Sequence, residues 1–399
     1  MRILAEESAS AIEFLEKYAS LNMSVISYMG GQTYPRSHRA VTLKPANVGS
    51  LLTNGLEQYL NKYKQQEESE ESKRFHLLTQ TKVTKLLTDS HGAVVGVEIR
   101  GKDSKKDLHA DAVIIAAGGF SSSKKLLGQY APDLVRLPST NGEWATGDGI
   151  MLAEQVHAKL VDMQDVQVHP TGLVDPNDPL NPTKFLGGEA LRGSGGMLLE
   201  ETGKRFVDEL SYRDFVSAQI FKHCKPLKVD LEKLPKREGA TEPPVVAYLV
   251  INQAGASKFE EAIKFYSFKK LCQKVDSAKQ LVEKFPSFSL ENINKTFEEW
   301  NECEKGNKKD PLGRKFFGVL YRDDEPLYVM LVTPSIHYTM GGLAIDCQAS
   351  VVDEKGKKIN NLYAAGEVTG GIHGANRLGG NSLLECIVFG RIAAKTALK

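Results

Sequence analysis

The chain has 399 residues, 41% hydrophobic and 25% charged, enough for about two domains with substantial cores. Its 51 basic and 50 acidic side chains leave a formal net charge of +1. That balance supplies no whole-chain field for nucleic acid or an anionic membrane, so any anion binding must be local.

Leu4, Ile12, Leu15 and Tyr18 recur at helical spacing in residues 3–19, and Leu52, Leu56 and Leu60 predict a second helix at about 49–63. Between them, Met29-Gly30-Gly31-Gln32 precedes a basic cluster of Arg36, His38 and Arg39. The charged run 64–74 is expected to be a solvated loop. From Phe75 to Phe120 the pattern changes to short apolar runs that predict strands: Leu77-Leu78, Val83 to Leu87, Val94 to Ile99 and Ala112 to Ala117. The last is apolar on both faces, as a buried parallel strand is. It runs into Gly118-Gly119, where an open α/β sheet meets its ligand. A glycine-punctuated loop at 140–149 leads to a helix from Ile150 to about Ala158. From Val166 to about Ser335, loops and short helices predominate: 175–182 and 225–245 read as connections, and 257–304 as mostly helical.

Sheet-like texture returns at Thr333 and ends in residues 361–386, N-L-Y-A-A-G-E-V-T-G-G-I-H-G-A-N-R-L-G-G-N-S-L-L-E-C. An apolar strand, Leu362 to Ala365, passes into a glycine-rich loop with two polar anchors, Glu367 and Arg377. A helix then begins near Ser382. Ser382 with Glu385 three residues later matches a capping box, and the helix N-terminus would present free N–H groups and partial positive charge. The expected organisation is an α/β domain, residues 1–160 and 336–399, interrupted by an inserted α+β unit at 161–335.

Four basic or imidazole side chains sit beside glycine or turn signals: His169, Arg213, His337 and Arg377. If they converge, they form a pocket for a small dianion, because guanidinium grips carboxylate bidentately and imidazole bonds the remaining oxygen. Taken singly, each also fits a structural polar group or a surface ion-pair partner. Glu189 and Arg192, three residues apart, would pair on one face of a helical turn. That pairing suits a salt bridge, or an ionic chain toward Arg213 able to move protons. The cysteines (Cys224, Cys272, Cys303, Cys347, Cys386) show neither C-x-x-C nor histidine at metal spacing, which reads as idle thiols in a reducing compartment with no metal site. No run of about 18 apolar residues is available to span a membrane.

I-A-A-G-G-F, A-T-G-D-G, V-Q-V-H-P-T-G, E-A-L-R-G-S-G-G, G-K-R-F-V-D-E-L-S-Y-R-D, H-Y-T-M-G-G and the 361–386 segment occur in this order. Together they resemble the FAD-dependent fumarate reductases of the succinate dehydrogenase/fumarate reductase flavoprotein superfamily, most closely the soluble fungal and flavocytochrome types. The resemblance covers essentially the whole chain. It implies a Rossmann-like FAD-binding domain interrupted by a capping domain that closes over the flavin. It implies non-covalent FAD lined by Ala117, Gly118, Gly119, Asp148, Tyr338, Glu367, Gly380, Asn381, Ser382 and Leu383, with Glu367 on a ribose hydroxyl. His169, His337 and Arg377 match positions that grip fumarate. Arg213 matches the acid that protonates the carbon opposite hydride delivery, and Arg192 and Glu189 match its proton relay. Succinate is then the product, and the electron donor is reduced flavin or an NADH-linked source.

The family begins with a strand, a G-x-G-x-x-G turn and a helix that hold the FAD pyrophosphate, and the 399 residues contain no such turn. The expectation is therefore an N-terminally truncated FAD-binding domain: a truncated gene model or fragment, or a shortened product that binds FAD poorly. The missing strand would leave Ile114-Ile115 and the 362–365 strand without a neighbour. Gly188 stands where flavocytochrome-type members carry a threonine that touches substrate. The alternatives are a flavin-free, catalytically inactive remnant, or another superfamily oxidoreductase such as L-aspartate oxidase or a ketosteroid dehydrogenase. The compartment is expected to be the cytoplasm, or the mitochondrion if a leader precedes Met1.

Overall fold

The computed structural model describes residues 2–41, 48–64, 75–102, 104–235 and 242–399. Of the solvated loop expected at 64–74, Lys64 instead ends a helix, and 65–74 lie outside the described residues. Two short helices, Arg2–Glu6 and α1 (Ser8–Tyr18), replace the single helix expected at 3–19, and α2 (Val48–Lys64) matches its expected span. An antiparallel meander follows: β1 (Lys82–Thr88), β2 (Val94–Arg100) and β3 (Lys105–His109). Leu77-Leu78 forms no strand. Both side chains are about half exposed, so the pair has no apolar face to join.

β4 (Val113–Ile115) leads to the Gly118-Gly119 turn, and α3 (Asp148–Glu154) begins two residues earlier than its expected start. The middle of the chain supplies β5 (Val166–Leu173), α4 (Arg213–His223), β6 (Val245–Asn252), α5 (Leu290–Glu304) and β7 (Leu327–Thr339). β8 (Lys358–Ala364) and α6 (Asn381–Ala397) complete it.

A seven-stranded antiparallel sheet is ordered Met197–Leu199, β6, β7, β5, Phe185–Leu186, with Lys225–Pro226 on β6 and Gln273–Val275 on β7. Its faces are covered by two apolar clusters. One packs α4 through Val216 and Ile220; the other packs α5 through Phe297 and Trp300. β7 is buried along almost its whole length, yet it contains Pro334, which has no N–H to give a ladder. The register against β5 slips there, between Thr333 and Ser335, and again between Ile336 and Tyr338. The second slip takes His337 out of the ladder beside His169, the way bulges re-aim side chains near sites.

The smaller, mixed sheet is ordered Ser350–Val352, β8, β4, the first pair antiparallel and the second parallel. Here β4 and β8, expected to stand without a neighbour, pair directly in parallel, Leu362 opposite Val113 and Ala364 opposite Ile115. Backbone groups in a buried strand must find partners, and each strand satisfies one edge of the other. Among the described residues no strand pairs with the outer edge of β4, where Ile114 is 40% exposed. Among the described residues no helix is long and apolar enough to cross a membrane.

Candidate active site

The ionic centre is Glu189. It immediately precedes the helical turn Ala190–Gly193, so the three-residue spacing brings Arg192 Nη2 to 3.4 Å from Glu189 Oε1. Arg213, the first residue of α4, donates from Nε to Glu189 Oε2 at 3.0 Å and from Nη2 to the same oxygen. The Gly30 N–H donates to Oε1 at 3.0 Å. All three side chains are buried. Burial alone would raise the Glu189 carboxyl, but Arg213 and Arg192 outweigh it and hold the group below the usual range. Glycine is required around this carboxylate: a Cβ on Gly30 would lie 2.5 Å from Oε1, and one on Gly379 would lie 2.8 Å from Oε2. The Met29-Gly30 segment, which the sequence left without a role, therefore closes one side of the site.

Gln167 was missed by sequence reasoning. Its Oε1 accepts from Arg213 Nη1 at 2.8 Å, and its Nε2 donates to Asn376 Oδ1 at 2.9 Å and to the Arg377 carbonyl at 2.8 Å. One amide thus ties the arginine of α4 to the glycine-rich loop. The available signal was its position two residues before His169 on a strand, which puts both on one face.

The two histidine rings meet edge to face, with centroids 5.1 Å apart. Thr171 N–H donates to His169 Nδ1 at 3.2 Å, so a neutral ring carries its proton on Nε2. Burial first, then the positive charge of Arg213, holds both His169 and His337 well below the ordinary imidazole value, so both rings are neutral. His337 Nδ1 lies 2.7 Å from the Thr140 hydroxyl. Arg377 is 2% exposed, its guanidinium 4.5 Å above the Tyr338 ring. Burial, followed by repulsion from Arg213, lowers it to about 10. His169 Nε2 and Arg377 Nε and Nη2 are buried without a hydrogen-bond partner. Buried donors left open in this way are rare in folded proteins and fit a ligand that brings oxygens to them.

On the other side of the glycine-rich loop, Ile114, Ala116 and Ala117 are exposed at the end of β4, and Leu383 and Cys386 are exposed on the first turns of α6. Gly118 (φ +73°) has open space where a side chain would stand, and a Cβ on Gly119 would lie 2.1 Å from Thr339 Oγ1 and 2.5 Å from Glu367 Oε1. Thr339 donates to Glu367 Oε1 from its N–H at 2.9 Å and from its hydroxyl at 3.2 Å. Burial pushes this carboxyl up to about 7. α6 starts at Asn381 behind Gly380 (φ +88°) with no side-chain cap. The capping box expected from Ser382 and Glu385 does not form, because Glu385 points into the protein, bonded to Tyr338 and His373. Its failure leaves the helix N-terminus open, which favours an anionic or electron-rich group.

These residues fit the flavin and ribose portion of FAD: flat apolar walls, glycines allowing close approach, a carboxylate and an uncapped helix start. Asp148 is the first residue of α3. Its carboxylate pairs with Lys82 Nζ at 3.0 Å and accepts from Thr146 at 2.9 Å, while Gly149 packs against Ala117. Tyr338 is buried beneath Arg377, with its hydroxyl on Glu385.

A family model described as an FAD binding domain matches residues 1–383. Fumarate reductase of Schizosaccharomyces pombe is 38% identical over 100% of this chain and 73% of its own length. Fumarate reductase 1 of Saccharomyces cerevisiae is 37% identical over 99% of this chain and 80% of its own length. A flavocytochrome c3 fumarate reductase solved in its open conformation is 30% identical with a TM-score of 0.66. That match covers all of this chain and 64% of the flavocytochrome chain.

Proposed function

The chain belongs to the FAD-dependent fumarate reductase flavoprotein family, and from that premise we propose that it reduces fumarate to succinate where the Glu189–Arg213 pair meets the glycine-rich loop. The observation that carries this reading is a group of buried donors without a hydrogen-bond partner, His169 Nε2, Arg377 Nε and Nη2 and Arg192 Nε, beside the buried Arg213–Glu189 pair. Ala117 to Gly119, Glu367 and the start of α6 would hold FAD, which in its two-electron-reduced form would supply the hydride.

The protein's own groups do the rest. Arg377 takes one carboxylate of the substrate through two N–H donors, and the neutral imidazoles of His169 and His337 bond the other. Two carboxylates leaving water lose much hydration, and the cluster Arg192, Arg213 and Arg377, countered internally by Glu189, replaces it. Arg213 gives a proton to the substrate carbon opposite the one that receives hydride. A guanidinium is a poor acid, but a carbon acquiring carbanion character is a strong base that can take its proton. Glu189 Oε2, already in contact with Arg213, returns the proton, and Arg192 on Oε1 is its next neighbour. Burial of all three excludes water that would short-circuit the transfer.

A second reading, a dicarboxylate binder without flavin, draws on the outer edge of β4, with which no strand pairs among the described residues. The visible absorption spectrum of the chain after incubation with FAD and removal of free cofactor separates the two. Flavin bands that bleach with dithionite and return on adding fumarate support the reductase. A colourless chain would falsify it.

A further inference from the structure

Beneath Arg377 lies a buried chain that neither the proposed substrate contacts nor the relay uses. Tyr338, near the end of β7, donates its hydroxyl to Glu385 Oε1 on α6, and Glu385 Oε2 lies 2.7 Å from His373 Nε2. The Tyr338 and His373 rings meet edge to face at 5.6 Å. These side chains are 2%, 0% and 7% exposed in the order Tyr338, Glu385, His373. Tyr338 thus holds the glycine-rich loop at two points: His373 through Glu385, and Arg377 through the face of its ring, 4.5 Å away. Between these points the loop has no regular secondary structure and passes through Gly374 at φ +63°. Among the described residues the Arg377 side chain donates one hydrogen bond, from Nη1 to the carbonyl of its own neighbour, Leu378, at 3.2 Å. A guanidinium with so little anchoring takes its direction from the surface on which it stacks.

We infer that Tyr338, backed by Glu385 and His373, is a positioning unit that aims the Arg377 guanidinium at an incoming dicarboxylate. It also links that aim to α6, whose first turn carries the exposed Leu383. The inference rests on the reading that Arg377 binds dicarboxylate.

The test uses the full chain with and without FAD, and succinate as the probe. Titration calorimetry gives its affinity for wild type, Arg377→Ala, Tyr338→Leu, Tyr338→Phe and Glu385→Gln, with thermal midpoints measured alongside. Tyr338→Leu, which removes the ring, weakens succinate roughly tenfold or more. Tyr338→Phe, which keeps the face, restores affinity to within about threefold, and Glu385→Gln, which loosens the His373 end, weakens it by about fivefold. If the leucine variant does not fold, Glu385→Gln decides. A merely structural role moves only the midpoints, so unchanged succinate affinity in folded variants overturns the inference while leaving the proposed function standing. Wild type that binds no succinate, or Arg377→Ala that binds it as well as wild type, overturns the underlying reading and this inference with it.

Discussion

Replacing Glu189 by glutamine is the sharpest perturbation of the relay, since shape is kept and only charge and one acceptor are lost. The carboxylate is buried, with Arg213 at 3.0 Å, Arg192 at 3.4 Å and the Gly30 N–H at 3.0 Å. At an effective dielectric near 20, each ion pair at such distances has a gross attraction of about 4 kcal/mol. Desolvation offsets most of this, and breaking one side of a buried pair costs roughly 3–5 kcal/mol. The amide must also turn an N–H toward a guanidinium that is itself only a donor. We therefore expect Glu189→Gln to lower stability by about 3 kcal/mol in chemical denaturation and to slow fumarate-dependent reoxidation of reduced flavin by about 10²–10⁴-fold. Fumarate KM should change less than kcat, because the residues assigned to the carboxylates remain. A folded Glu189→Gln enzyme that turns over within about threefold of wild type would refute the assignment of Glu189 to proton return.

Gly379→Ala places a Cβ 2.7 Å from Met29 Sδ and 2.8 Å from Glu189 Oε2, so turnover should fall about tenfold or more while flavin binding persists; unchanged kinetics would contradict the tight closure of that loop on the carboxylate. Gly390→Ala, inside α6 with open space at its Cβ and no positive φ, should raise stability by about 0.5–1 kcal/mol in a urea titration without altering flavin binding. Glu367 makes a pH prediction. With its carboxyl raised from 4.5 to about 7, the native apoprotein binds the proton more tightly than the unfolded chain. Its contribution to stability is therefore fully present below about pH 4.5 and lost as pH rises through about 7, amounting to at most about 3 kcal/mol. Subtracting the Glu367→Gln profile from wild type should reveal that slope, and superimposable profiles would place Glu367 in water.

Local patterns carried much of this architecture into view. The apolar run at Ala112 to Ala117 ends at a glycine pair because at Gly119 the turn approaches Glu367 too closely for a side chain. The strand itself is only partly buried, with Ile114 40% exposed, where a strand apolar on both faces was expected to be covered. Glu189, Arg192 and Arg213 were readable because one pair sits at helical spacing and the third lies beside a turn signal. What stayed hidden depends on contacts distant in sequence. Gln167 looks like any strand amide until α4 and the loop at 376–377 close on it. Gly30 is an ordinary turn glycine until its N–H meets Glu189. The Ser382/Glu385 capping box misled for the same reason: a buried tyrosine and histidine compete for the carboxylate better than its own helix start does. The pairing of β4 with β8 was likewise unreadable, since which of two apolar strands lies beside the other is a tertiary choice.

The most direct test of the account is anaerobic. The purified chain is loaded with FAD, freed of excess cofactor, reduced to the colourless flavin and mixed with fumarate. The account predicts that oxidised flavin absorption returns with one succinate formed per flavin, and that Arg213→Ala binds FAD but stays reduced. A chain that retains no flavin, or a reduced flavin that fumarate leaves unchanged, would contradict it.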